Sequence, residues 1–149
     1  MTDMSDRCGL GIRGVAMTID SAVWFVLFFA ATLPVAVATG QLETTASGAN
    51  ADLEGAAGSA AFILWLVLGL GYHTIAEWRF GKTIGKYLVG IRAVNGDGSP
   101  LSLRASAIRN GLRLVDFLPL FYVVGIVGLL ISDGNQRLGD WVGGTAVVR

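Results

Sequence analysis

Between Ser21 and Leu42 the chain runs for 22 residues without a single charge: "SAVWFVLFFAATLPVAVATGQL". A bilayer core needs about 20 predominantly apolar residues in helical form, so this stretch is long enough to cross one. The residue just before it is Asp20, which closes the segment "RGVAMTID" from Arg13 to Asp20. The apolar pattern extends back to Gly14 with only Asp20 interrupting it. A carboxylate at that depth costs several kcal/mol unless it is protonated or paired, and such groups normally face a bundle interior.

Two further apolar stretches follow. Gly55 to Ala76 is uncharged and meets the spanning length, whereas Phe117 to Ser132 falls short of it. Only 15% of the 149 residues are charged, against about a quarter in an average soluble domain, and the mean hydropathy is +0.61. These features point to a membrane protein; the alternative is a soluble all-helical domain with buried helices. A net charge of zero provides no basic field for nucleic acid. The single Cys8 excludes an internal disulfide, and one Cys with one His is too few for a Cys/His zinc site. Ala36-Val37-Ala38 has the small-x-small form of a signal-peptidase site. The acidic residues Asp3, Asp6 and Asp20 spoil the preceding basic region, so the helix is expected to be retained.

Charge sets the expected topology. "TGQLETTASGANADLEGAAGS" carries Glu43, Asp52 and Glu54 without Lys or Arg, and reads as a loose loop. After the second apolar stretch come Arg79, Lys82, Lys86, Arg92, Arg104, Arg109 and Arg113, seven of the eleven basic residues. The positive-inside bias puts that connection in the cytoplasm, the acidic loop outside and the N-terminus in the cytoplasm. Trp24 and Trp78 stand near the inner ends of the spans, as interfacial anchors or as ordinary apolar filler. A multi-pass protein of the cell membrane is expected.

The third region has two readings. One is a single span from about Leu112 to Ile131, with the C-terminus outside. The other is a broken pair, dipping in from about Ser102 and returning after a bend at Pro119. The tail "DGNQRLGDWVGGTAVVR" suits the cytoplasm better, which favours the broken pair. "GIRAV" (residues 90–94) and "GTAVV" can pair as strands only if both lie on one side, and "NGDGSP" (residues 95–100) reads as the turn after the first. The expected fold is therefore an all-α membrane protein. It has two full transmembrane helices, about 12–38 and 57–77, plus a third Pro-broken membrane segment, about 102–132. A small cytoplasmic β element completes one domain over residues 1–149.

Arg13 and Asp20 are seven residues apart, two helical turns, so they share a face about 10 Å apart along the axis. They cannot bridge each other. "RNGLRLVD" repeats the spacing with Arg109 and Asp116, again with an aliphatic residue before the Asp. Crossed partners are expected: Arg13 facing Asp116, and Arg109 or Arg113 facing Asp20. His73 and Glu77, at i and i+4, are either a proton relay with Asp20 or an interfacial, solvated pair. Asp140 in "QRLGDW" is expected to close the cytoplasmic face structurally. "GKTIGK" (residues 81–86) lacks phosphate-loop spacing, since Tyr87 follows Lys86. Lys82 and Lys86 are expected instead to meet anionic lipid headgroups. No catalytic constellation, metal cluster or cofactor motif is present in the pattern, and no enzyme is expected.

Taken together, "RGVAMTID", "FGKTIGKYLVGIRAV", "DGSPLSLRASAIRNGLRLVDFLP" and "QRLGDWVGGTAVV" resemble the RDD family of small membrane proteins, named for one Arg and two Asp. The resemblance runs from about Arg13 to Val148 and implies Arg13, Asp20 and Asp116 as the named residues. It also implies a transport role, with sodium/proton exchange linked to some members. Two functions are thus carried forward. One is cation/proton exchange through buried Asp residues, with a cation ligand and a homo-oligomer to enclose the pathway. The other is a structural or adaptor membrane protein whose Arg/Asp network fixes helix packing and partners.

Overall fold

The computed structural model describes residues 8–116, 140 and 142–148. Helix α1 spans Leu10–Thr39 and α2 spans Gly55–Phe80. At 30 and 26 residues, each exceeds the roughly 20 that a bilayer core requires. Only 11% of the most apolar window of each helix is buried. A core helix of a soluble protein would hide such a surface; here Phe25, Val26, Phe62, Ile63 and Val67 stand exposed. That favours lipid over water around both helices and disfavours the soluble alternative. Pro34 lies inside α1.

Contacts divide the chain into two units, residues 21–71 and residues 1–20 with 72–149. In the first, Leu42–Thr45 (β1) and Gly48–Ala51 (β2) form an antiparallel hairpin with Thr45 opposite Gly48. The loose loop expected here is thus an ordered hairpin. Its turn is tied by the Thr45 and Ser47 hydroxyls, 3.0 Å apart, and by Thr45 Oγ1 donating to the Gly48 carbonyl at 3.1 Å. Gly48 has φ of +145°, open to glycine but not to most residues. Both strands are largely exposed, so no apolar alternation announced them. Trp24 packs on Trp65. Its ring meets Trp65 edge-on at 5.3 Å, and its carbonyl accepts from Trp65 Nε1 at 3.0 Å.

The second unit gathers the polar chemistry. Short helix α3 covers Ile84–Leu88, strand β3 Arg92–Asn95, helix α4 Leu103–Asp116 and strand β4 Thr145–Val148. β3 and β4 pair antiparallel, Ala93 opposite Val147, which joins the "GIRAV" and "GTAVV" stretches. The Cys8 amide donates to the Val147 carbonyl at 3.0 Å. Cys8, Ala16, Ile91 and Val147 form one small core, and Ala93, Leu101 and Ala105 another. The turn after β3 is closed by Asn95 Nδ2 donating to Ser99 Oγ and by the Ser99 amide donating to Asp97, both at 2.9 Å. Gly98 there takes φ of +84°. The bend expected at Pro119 and the apolar run 117–132 lie outside the described residues.

Candidate functional site

Asp20 is 2% exposed and is held by neutral donors. Thr83 Oγ1 donates to one carboxylate oxygen at 2.6 Å; the Gly85 amide at 2.9 Å and the Tyr72 hydroxyl at 3.0 Å donate to the other. The Tyr72 oxygen in turn accepts from the Ile84 amide at 2.9 Å. Thr83 is the N-cap of α3, so Asp20 sits where the first amides of a helix need acceptors. Gly85 makes the approach feasible: a Cβ there would overlap the Ala16 carbonyl and stand 2.9 Å from the Asp20 carboxyl carbon. The expected guanidinium partner of Asp20 is replaced. Arg109 makes its ion pairs with Glu77 and Asp140, and Arg113 bonds His73. The start of the short helix supplies two donors, the Thr83 hydroxyl and the Gly85 amide, and Tyr72 of α2 a third, without adding a charge.

The charged side chains form a separate alternating network. Arg13 pairs with Asp140, Arg109 Nε lies 3.3 Å from Asp140 and 3.4 Å from Glu77, and Lys86 pairs with Glu77. All five are at most 9% exposed. Asn110 Nδ2 completes Glu77 at 3.1 Å. Arg109 carries the middle of the chain, joined to a carboxylate on each side. Its Nη1 has no partner among the described residues. Burial alone would raise the Asp140 carboxyl pKa, but Arg109 and Arg13 outweigh it and hold the group below the usual carboxylate range. Burial, and then Arg109, pull the Lys86 ammonium down to about 8 against the opposing pull of Glu77.

Several expectations change. Lys86 is not at a lipid surface; it is buried against Glu77, while Lys82 stands over the Tyr87 ring at 5.2 Å. His73 and Glu77 are each 1% exposed, which overturns the solvated alternative. The Glu77 oxygens are taken by Lys86, Arg109 and Asn110. Arg113 Nη1 stands 2.8 Å from His73 Nδ1. A guanidinium can only donate, so Nδ1 accepts and the ring proton resides on Nε2. Asp140, expected to close one face, is the direct partner of Arg13. Asp116 is the last residue of α4; its side chain, and with it the Arg13–Asp116 pairing, lies outside the described residues.

Sequence reasoning missed Tyr72, Thr83, Gly85 and Asn110. The usable signal was "GKTIG", where a hydroxyl and a glycine bracket a helix start. α4 is fixed to α2 by Ser106 Oγ donating to the Thr74 carbonyl at 2.8 Å, one turn before Asn110 reaches Glu77.

The RDD family model matches residues 7–144, which takes in every element of this network. The chain belongs to the RDD family. Of the three residues the resemblance implies, Arg13 is paired with Asp140, Asp20 is tied to the α3 start, and the Asp116 side chain lies outside the described residues. Comparison with curated proteins and with solved structures gives no match. In this RDD protein Arg13, Arg109, Glu77, Asp140 and Lys86 form one connected set, and Asp20 with Tyr72, Thr83 and Gly85 forms a second.

Proposed function

We propose that this RDD membrane protein is an anchoring or adaptor module. Its buried charge network locks the inner ends of two membrane helices to a β-sheet cap on the cytoplasmic side. The observation that carries this reading is the alternating chain Arg13–Asp140–Arg109–Glu77–Lys86, buried throughout and drawn from α1, α2, α3, α4 and the segment before β4. Buried ion pairs contribute little net stability but penalise every arrangement that leaves one charge unpaired. They suit a device for fixing helix register and partner choice. The basic residues from Arg79 to Arg113, against the acidic loop around Asp52, support a cytoplasmic N-terminus in the cell membrane.

A second reading, cation/proton exchange, is favoured by one observation. Asp20 is held by hydroxyls and an amide, with no guanidinium or ammonium bonded to it among the described residues. A proton or a small cation could therefore settle its charge. Both readings are tested on Asp20→Asn in proteoliposomes. Anchoring predicts a lowered unfolding temperature and a cation-dependent proton flux equal to that of protein-free vesicles for wild type and variant alike. Wild-type flux above that background, abolished in a normally folded variant, would overturn anchoring and establish exchange.

A further inference from the structure

The residues 21–71 contain Glu43, Asp52 and Glu54 and no lysine, arginine or histidine, a formal charge of −3. Within this same unit lies a cavity of about 580 Å³ lined by Phe28, Phe29, Leu33, Phe62, Trp65 and Asp52, among others. The aromatic rings form a continuous wall. Phe28 and Phe29 are 5.6 Å apart, Phe28 and Trp65 5.9 Å, and Phe62 and Trp65 5.9 Å. Phe28, Phe29, Leu33 and Phe62 remain 42%, 44%, 43% and 55% exposed, so the chain itself does not fill the space. None of the buried charge network takes part.

We propose that this cavity binds a lipophilic organic cation, of the quaternary ammonium or phosphonium class. Four aromatic side chains and a carboxylate around one space are what such a cation requires. Ring faces attract it electrostatically, most strongly where water is excluded, and Asp52 supplies the counter-charge that an uncharged apolar guest would not need. The volume lies within the ordinary range of small-molecule sites. The same acidity selects against a lipid headgroup as occupant. A phosphocholine headgroup carries the ammonium but also a phosphate, which Glu43, Asp52 and Glu54 repel.

The test uses the full chain in zwitterionic nanodiscs with radiolabelled tetraphenylphosphonium in equilibrium dialysis, against empty nanodiscs. The expected result is saturable binding of one cation per chain. Asp52→Asn and Phe62→Leu should each weaken it by about threefold to tenfold. Asp52 is exposed, so its variant retains the fold, and unfolding temperatures verify this. Lysophosphatidylcholine should not displace the probe. Uptake no greater than empty nanodiscs, or unchanged binding in both folded variants, overturns the proposal. So does displacement by lysophosphatidylcholine, which makes the cavity a lipid site.

Discussion

Asp140→Asn is the sharpest probe of the network, because one carboxylate serves two buried guanidiniums. The side chains of Asp140, Arg13 and Arg109 are 3%, 7% and 9% exposed. The amide keeps the shape and removes only the charge. Taking one partner from a buried pair costs about 3–5 kcal/mol, since the opposite charge stays in a medium of low polarity. Arg109 keeps Glu77 as a partner, which places the loss nearer the lower end. At about 2–4 °C per kcal/mol for a chain near this size, the unfolding midpoint should fall by roughly 10 °C. Thermal unfolding in nanodiscs, followed by tryptophan fluorescence, reads it. A double-mutant cycle with Arg13→Gln should give a coupling of about 1–3 kcal/mol. The pH dependence follows from the lowered carboxyl pKa. The Asp140 contribution is fully present above its unfolded value of about 3.9 and is lost as pH falls through the lower folded value. The gap between wild type and variant should be flat from about pH 5 to 7 and close on further acidification. An unchanged midpoint at neutral pH, or strict additivity in the cycle, refutes the argument.

Gly85→Ala should displace α3, because the added methyl overlaps the Ala16 backbone carbonyl rather than a flexible tip. A loss of about 1–3 kcal/mol is expected, read as a lowered unfolding midpoint, and an unaltered midpoint speaks against the close approach. Lys86 gives the same pH sign as Asp140, in an alkaline rather than an acidic window. With its folded pKa near 8 and an unfolded value near 10.4, the unfolded chain binds more protons between these limits. Wild-type stability should therefore rise with pH across that window, relative to Lys86→Arg, which does not titrate there. Equal slopes for the two proteins in chemical denaturation would remove Lys86 from the buried network.

The two spanning helices were legible because their evidence is one-dimensional: length without charge. The β3–β4 ladder was legible for a similar reason, since both apolar ends are bounded by glycine turns at residues 90 and 144. Partner choice was not. The matched spacing of Arg13–Asp20 and Arg109–Asp116 invites a symmetric pairing of two helices. Yet Glu77 of α2, which also pairs with Lys86 of α3, takes Arg109 into a different network. Asp20 was misread because a carboxylate near arginines suggests an ion pair, whereas helix α3 offers it amide and hydroxyl donors. "GKTIGK" looked like a basic surface because nothing in its composition shows that Lys86 turns inward while Ile84, Tyr87 and Leu88 remain exposed.

The ladder also constrains the proposed topology. β3 and β4 exchange backbone hydrogen bonds, and the Cys8 amide joins them at Val147. In the anchoring reading these three stretches share one side of the bilayer, because a strand pair cannot form across it. That reading therefore requires the chain between Asn95 and Thr145 to leave and rejoin the same side. The same constraint explains why Arg13, near the start of α1, can meet Asp140, just before β4, although 127 positions separate them. The sheet brings the two ends of the chain to one face, and the buried pair fixes them there.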